Sequence, residues 1–500
     1  MKILTHREGR QGVWEYRVER KDGTKLSVTE GGVEERDKKA LSEYKNQHKE
    51  LQDVKDLYLK RASAAILNAH KILTSLRDEA KPRSRMNIEA GDYLVAINSC
   101  TVGQPVTAAY YTHINNRKWN KPTDNFVFCS SRDAEEILKR GPPLLPNVIP
   151  IDWNNDAKHS LNISEFLEQL TIGPMLEFHG FERELPQQGY VTPVKLDSKL
   201  AIDKFKDDAR GPLNFLNLRG RKPNQVPSCL ARLPEYHIIG LGTENGKEGK
   251  PGGDLTRSIR FHLLASKGAI HSAHINRHGM ITTIFNEEGD KLWPLWVRAN
   301  VRDWAESRAL PTGPLVGLLL AKGYTLIQPG GTIHMPCTIG ERVLLSGTMH
   351  WHPRQVLQIL QQTQVEIECP HVTNEPVSGQ FLGEISLILR LWKANTPLFD
   401  WGSQEDLEEC ESILKRLQGM LCTIKKRKRG KAKAGEDIDS PLTLFVIPTA
   451  IVHLRNADFV TRSCRLAGGE LVQLAQAFDG DQLPIRQRAQ SFSMGHLQLC

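Results

Sequence analysis

The sequence predicts a mainly β core of barrel or sandwich type flanked by α-helices, α+β overall. Three observations carry that prediction. Between residues 259 and 350 the chain is a series of short apolar runs, IRFHLLA, MITTIF, KLWPLWVRA, YTLIQPG and RVLLSG, with frequent glycines. Short strands at close spacing with glycine turns favour a barrel or sandwich over alternating βαβ units. Two segments of helical periodicity, 41–76 and 403–424, flank this region. Finally, 500 residues that are 39% hydrophobic and 25% charged can build a large core shared by two to four domains.

The elements follow in order. VWEYRVERKDGTKLSVTE, residues 13–30, reads as a small hairpin: Trp14, Tyr16 and Val18 alternate with polar residues, Asp22-Gly23 makes a turn, and Leu26 and Val28 resume the alternation. A long helix comes next, with Leu41, Tyr44, His48, Leu51, Val54, Tyr58, Ala62, Ala65, Ala69, Ile72 and Leu76 at three- and four-residue steps. From Tyr93 the pattern turns to β segments, YLVAI, VTAAYYTHI and FVFC, and the proline-rich GPPLLPNVIP leads from them to NISEFLEQL at 162–170. That last segment is a helix capped by Asn162, with Glu165 as the reciprocal group. LNFLNLRG (213–220) and YHIIGLG (236–242) read as further strands. Ser403 caps a helix over 403–424 with Asp406 as its third-position acid; Leu407, Cys410, Leu414, Leu417, Leu421 and Ile424 form one face, and the basic run ends it. Beyond it lie β-like LTLFVI and AIVHL and a helical GELVQLAQAF. The expected division is a hairpin over 1–32, a helical arm over 33–85, the N-terminal part of the β region over 86–190, the β core over 191–370, C-terminal helices over 371–424, a basic linker over 425–440 and an extension over 441–500.

Composition narrows the function classes. The nine cysteines include no CxxC pair and are odd in number, which points to a reducing compartment and away from a zinc finger or disulfide framework. Mean hydropathy is -0.40, no apolar run is long enough to cross a bilayer, and MKILTHREGRQG has charges where a signal peptide is apolar. No membrane partner is expected. The net charge of +8 permits an acidic partner such as nucleic acid or a chromatin surface without requiring one. Lys425-Lys426-Arg427-Lys428-Arg429, followed by Lys431 and Lys433, reads as a nuclear-import address or a phosphate-binding patch, against a solvated charge run closing a helix. A nuclear location is expected from it, and otherwise a cytoplasmic one.

The chemistry concentrates in GAIHSAHINRHGM, residues 268–280. A mononuclear iron site of the facial type needs two imidazoles and a carboxylate with open positions beside them. In an extended segment His274 and Asn276 point to one side, while His271 and Arg277 point to the other. His278 shares the parity of His274, but Gly279 predicts a turn there. A further ligand has to come from a distant strand, and His334, after the turn Pro329-Gly330-Gly331, is the candidate; a half-buried, satisfied histidine is the plainer alternative. Lys291, in the apolar strand KLWPLW, calls for an anionic partner such as a dicarboxylate, or else is solvated at the hairpin exit. His350 and His352 can form a surface metal pair, but core or loop roles are favoured.

Two stretches, SAHINRHGMITTIFNEEGDKLWPLW (272–296) and YTLIQPGGTIHMPCTIGERVLLSGTMHW (324–351), resemble the JmjC-type, cupin-fold oxygenases that depend on Fe(II) and 2-oxoglutarate, in particular divergent fungal JmjC-like proteins. PLLPNVIPIDW, ISEFLEQL and GPLNFLNLRG resemble the family's upstream pieces, so the likeness covers roughly 140–355. It implies a double-stranded β-helix (jelly-roll) core. It also implies that His274 is the first iron imidazole, that Asn276 stands where the family has Asp or Glu, and that Lys291 grips 2-oxoglutarate with help from Thr282. Gly279, Gly289 and Trp293 match as well. In the second stretch Pro329, Gly330, Gly331, Thr332 and Pro336 match, but the family's histidine position falls on Glu341, so family register and the residue-by-residue reading disagree over the third ligand. An amide in place of a carboxylate is neutral and a weaker donor.

The resemblance therefore supports three functions. The favoured one is a catalytically inactive or weakly active JmjC-like scaffold in a chromatin-associated assembly, because of Asn276 and Glu341. His274 and Lys291 support the alternative, a nuclear oxygenase hydroxylating a protein or demethylating histone lysine. The third is a cupin-like metal enzyme that does not use 2-oxoglutarate, with His274, His334 and His271 as ligands.

Overall fold

The computed structural model describes residues 2–8, 14–19, 24–29, 37–82, 84–107, 124–170, 175–181, 194–207, 211–218, 226–239, 255, 259–307, 309–394 and 399–434. The expected strands LTLFVI and AIVHL and the helix GELVQLAQAF lie outside them, as does most of VTAAYYTHI. The architecture is α+β, with a large mixed sheet, a smaller second sheet and several helices.

The N-terminal hairpin is joined by a further strand: β1 (Lys2–Glu8), β2 (Trp14–Glu19) and β3 (Lys25–Thr29) form an antiparallel sheet. Helix α1 (Lys38–Glu79) follows. It is packed into the body along its C-terminal half, where Tyr58, Ala62, Ala65, Ala69 and Leu73 are buried. Small residues at three- and four-residue spacing let its backbone approach the smaller sheet, and the Tyr58 hydroxyl accepts the Leu319 N–H at 3.1 Å.

YLVAI, expected as a strand, lies inside α2 (Arg85–Ile97), which Ser84 caps by accepting the Asn87 N–H. A short apolar run suits a buried helix as well as a strand, and here burial of Tyr93, Leu94, Ala96 and Ile97 on one side decides it. The chain then enters the large sheet through β4 (Gln104–Thr107) and β5 (Asp124–Phe128), crosses by α3 (Ser131–Leu138), and adds β6 (Asn147–Ile149). The proline-rich stretch is thus partly sheet, all of β6 being buried. Helix α4 (Ile163–Leu170) has the expected cap: Asn162 Oδ1 accepts the Glu165 N–H at 2.8 Å, an arrangement that contributes about 1 kcal/mol.

After β7 (Leu176–Gly180), β8 (Val194–Leu196), α5 (Ser198–Lys206) and β9 (Leu213–Leu218) comes the centre of the molecule. The described part of YHIIGLG, residues 236–239, is not a strand: a 3-10 turn, Pro234–Tyr236, precedes buried Ile238 and Ile239, and residues 240–242 lie outside the described set. The large sheet contains β10 (Arg260–Ser266), β11 (Ile281–Glu288), β14 (Thr325–Gln328) and β17 (Arg342–His350), in the order β4-β5-β6-β14-β11-β17-β10-β9-β7-β8. Its first three strands are parallel and the other pairings antiparallel. Strands from the 86–190 segment therefore share one sheet with those of 191–370. The smaller sheet is β13-β12-β15, with β16 also on β12: β12 (Lys291–Trp296), β13 (Leu315–Leu320), β15 (Ile333–His334) and β16 (Cys337–Thr338).

Helix α6 (Val301–Ser307) joins β12 to β13, and α7 (Val356–Glu368), α8 (Phe381–Lys393) and α9 (Gln404–Ala434) close the C-terminal side. Ser403 caps α9 as expected, accepting the Asp406 N–H at 3.1 Å, and Leu407, Cys410, Ile413, Leu417 and Leu421 are buried. The basic run does not end α9: the backbone stays helical through 425–429 to Ala434, because lysine and arginine are good helix formers and favour a helix C-terminus. Among the described residues no helix is long and apolar enough to cross a membrane.

Candidate functional site

The two sheets enclose a cavity of about 60 Å³ lined from β9, β10, β11 and β17 on one side and from β12 and β15 on the other. Its polar lining is His271, His274, Asn276, Arg277, Thr282, His334, Asn374 and Glu375. Two residues expected to cooperate from distant segments meet here. The His274 N–H donates to the His334 carbonyl at 3.0 Å and the His334 N–H returns to the His274 carbonyl at 2.9 Å. This reciprocal pair is a one-residue antiparallel bridge, which sets both side chains on the same side. Their ring centroids are 4.3 Å apart.

The turn that aims His334 depends on backbone contact. A Cβ at Gly330 would collide with the Gly279 carbonyl, so the Pro329-Gly330-Gly331 turn rests directly on the loop that follows His274. Each imidazole is then held by its own strand: His274 Nδ1 donates to the Ser272 carbonyl at 2.8 Å, and His334 Nδ1 to the Thr332 carbonyl at 2.9 Å. A ring nitrogen this close to a carbonyl carries the proton, which leaves Nε2 of each ring with its lone pair. Trp293 stacks on His334 at 5.4 Å and its indole N–H donates to Gln328 Oε1 at 2.9 Å, fixing the plane of that ring. Burial pulls the His274 imidazole down to about 4 and the His334 imidazole well below its ordinary value, so both are neutral at pH 7.

Asn276 lines the same cavity and its amide Nδ2 donates to Thr282 Oγ1 at 2.6 Å. His271, expected to face away from His274, instead stacks beside it at 5.4 Å and contacts Asn214. The parity argument fails because 271–275 is not a continuous strand: His271 and His274 are each pinned separately, to the Pro336 and His334 carbonyls. His278 leaves the group at the expected turn, with φ of 56°. Glu341 is 80% exposed and pairs with Lys267 at 2.7 Å, away from the cavity, because it sits on the turn before β17. His350 and His352 are both buried and serve the core, bonded to Thr348 and Tyr236 and to the Arg354 N–H.

Lys291 is fully buried behind the cavity. It is not solvated at the hairpin exit: its Nζ reaches Thr338 Oγ1 at 3.3 Å, and no ion pair is found for it among the described residues. Burial pulls its pKa down to about 7, the neighbouring Cys337 thiol opposing this.

Arg277, expected to face away from His274 and Asn276, lines the same cavity, and Glu375 escaped the residue-by-residue reading. Arg277 Nε lies 2.9 Å from Glu375 Oε2, and the carboxylate is close enough to oppose the fall of the His274 pKa. Nothing in HVTNEPVSG, the irregular segment that carries Glu375, distinguishes that residue in the sequence.

The donor set can be compared with what a facial iron site requires. Two neutral imidazoles with free Nε2 atoms suit it. The third donor does not: Asn276 is an amide engaged with Thr282, Glu341 is outside, and Glu375 is held by Arg277. Among the described residues no three His, Cys, Asp or Glu side chains are arranged to hold a metal ion. As they stand, these residues do not fit Fe(II) with 2-oxoglutarate. The chain matches no protein-family model and no curated protein.

Proposed function

We propose that this chain is a JmjC-like module, built on a double-stranded β-helix of the cupin type, that is inactive or weakly active as an oxygenase and acts as a scaffold in a chromatin-associated assembly. One observation supports a loss of activity: beside the His274 and His334 imidazoles Asn276 puts an amide where an iron site needs a carboxylate, and the carboxylate that lines the cavity, Glu375, is paired with Arg277. An anionic ligand offsets the charge of the metal, and a neutral amide does not. The test is an anaerobic titration of the full chain with Fe(II) and then millimolar 2-oxoglutarate. The expected outcome is no visible charge-transfer band; a band that disappears in His274→Ala would overturn the reading.

The chromatin partner is supported by Lys425, Lys426, Arg427, Lys428 and Arg429 at the end of α9. Replacing all five with alanine should abolish nuclear accumulation of a tagged chain, and unchanged accumulation removes that support.

A second reading, a nuclear Fe(II)/2-oxoglutarate oxygenase, is favoured by Lys291. A buried ammonium with only a hydroxyl neighbour is costly unless an anion joins it. The same titration decides between the two readings.

A further inference from the structure

We propose that Arg277 is a two-position latch on a strap, residues 372–378, that closes the cavity: paired with Glu375 it holds the strap shut, and moving to Glu366 it releases it. The strap is a thin wall. Asn374 and Glu375 line the cavity, yet Asn374 and Pro376 are exposed to solvent. Residues 374–378 have no helix or strand of their own, so no ladder of main-chain bonds fixes the middle of the segment. Its two ends are tied to the loop that follows His274. The Ile275 N–H donates to the Val372 carbonyl at 2.8 Å, and the Ser378 N–H to His278 Nε2 at 3.0 Å. Arg277, between those anchors, grips the middle. Its Nε pairs with Glu375 Oε2 at 2.9 Å, and its Nη1 donates to the Pro376 carbonyl at 3.2 Å.

The second position is built into α7. The Glu366 side chain is fully buried, and its Oε1 accepts the N–H of His278, the residue after Arg277, at 2.7 Å. Its other oxygen, Oε2, has no hydrogen-bond partner. A buried carboxyl with an open oxygen is costly as an anion and tolerable as a neutral acid. Burial raises it to about 8; of the two neighbouring charges, Arg277 opposes the rise and Glu375 adds to it. Two acids therefore compete for one cation.

Below that value Glu366 is neutral and Arg277 stays with Glu375. Above it Glu366 is an anion in the core, where an unpaired charge costs far more than at the half-buried Glu375, and the guanidinium follows. The imidazoles nearby keep their charge through this change. His278 is held neutral by burial, with Nδ1 on Thr363 and Nε2 on the Ser378 N–H, and His274, which faces Glu375, titrates at about 4. Release takes Glu375 off the cavity wall and opens the cavity to solvent. The latch governs access and not what the cavity holds, so it stands whichever way the Fe(II) and 2-oxoglutarate titration falls.

The test is hydrogen exchange of the full chain at pH 6.5 and pH 9, read as protection relative to the intrinsic rate at each pH, in the strap and in β11. One unit above a pKa of about 8, ionisation favours release by about tenfold, so strap protection should fall by about that factor while β11 keeps its own. Glu366→Gln keeps the oxygen that takes the His278 N–H and cannot ionise, and should retain full strap protection at pH 9. Glu375→Gln lacks the charge that holds the guanidinium, and should show low strap protection at both pH values. Thermal melts confirm that the variants fold. Equal strap protection at the two pH values in the unsubstituted chain overturns the proposal. So does a fall that survives in Glu366→Gln, a fall shared by β11, or full protection in Glu375→Gln.

Discussion

His274 and His278 are four residues apart and similarly buried, yet their polar atoms have different fates. His278 has every polar atom committed. Its N–H donates to Glu366 Oε1 at 2.7 Å, its Nε2 accepts the Ser378 N–H at 3.0 Å, and its Nδ1 lies 3.2 Å from Thr363 Oγ1. Its carbonyl accepts the Trp351 indole N–H at 3.1 Å, and its ring stacks on Phe381 at 4.5 Å. His274 has an equally firm backbone but commits only Nδ1, and its other nitrogen belongs to a cavity. One histidine ties the site loop to α7 and α8, and the other is what that loop presents. A buried imidazole is a candidate ligand only when one ring nitrogen is left over, and that accounting needs partners the sequence does not display.

The contrast can be broken most forcefully at His278. His278→Ala removes the stacking on Phe381, the ring acceptor of the Ser378 N–H and the ring contact with Thr363, while the backbone N–H to Glu366 and the left-handed backbone remain. Losses of this kind reach about 3–5 kcal/mol. His274→Ala empties a ring that borders a cavity and should cost well under half as much. Urea unfolding of the two variants measures the difference; equal losses would mean that both histidines are structural. Glu366 shares this region. Burial raises its carboxyl to about 8, with the His278 N–H and the Arg277 charge opposing the rise. The folded chain thus holds a proton there that the unfolded chain releases above its ordinary 4.5, so this group's contribution to stability declines as pH rises from 4.5 to 8.

Lys291 sharpens the comparison from the opposite side, as a buried group with a single bond. Its pKa is lowered, so between about 7 and 10.5 the unfolded chain binds a proton that the folded chain does not. Folding stability attributable to Lys291 therefore rises with pH across that window and is at its poorest below 7. Lys291→Met, of similar length and without the charge, should stabilise the protein at pH 6.5 by about 1–4 kcal/mol. The gain should shrink steadily by pH 10. Paired melts at the two pH values test this, and a constant gain would mean that Lys291 keeps its ordinary charge in the fold, as it would if paired with a bound anion.

What could be read in advance follows the same line between local and distant information. The strands from 260 to 350 and the caps at Asn162 and Ser403 are encoded within a few residues, by alternation and by Ser/Asn-x-x-acid spacing, and the structure contains them. His274 and Asn276 stood out as a short motif. The facing of His334 on His274 was expected only loosely, because it depends on Gly330 resting against Gly279, a contact across some fifty residues. Helix α2 was misread because YLVAI carries no period of its own, and its side facing Phe181 and the body is known only after folding. Arg277 was placed on the wrong side, and Glu375, with the α7 groups Thr363 and Glu366, was invisible for the same reason. Their chemistry lies in whom they meet.

The smallest structural change is the most direct test of why the His274 cavity differs from an iron site. Asn276→Asp exchanges an amide nitrogen for an oxygen and leaves the side chain's shape unchanged. Thr282 Oγ1, which accepts from the amide at 2.6 Å, can instead donate its own proton to the new carboxylate. Stability should move by less than about 1 kcal/mol, since the hydrogen bond is reversed and not lost. The metal affinity should move more. A carboxylate beside the two free Nε2 atoms supplies the missing anionic donor, so Fe(II) binding under anaerobic conditions should strengthen by at least about tenfold relative to the unsubstituted chain. If Fe(II) binding strengthens and 2-oxoglutarate then yields a charge-transfer band, the amide alone disabled the centre and Lys291 retains its anion site. If Fe(II) binds no better, the amide is not the cause, and the spacing of His274 and His334 themselves is what departs from an iron site.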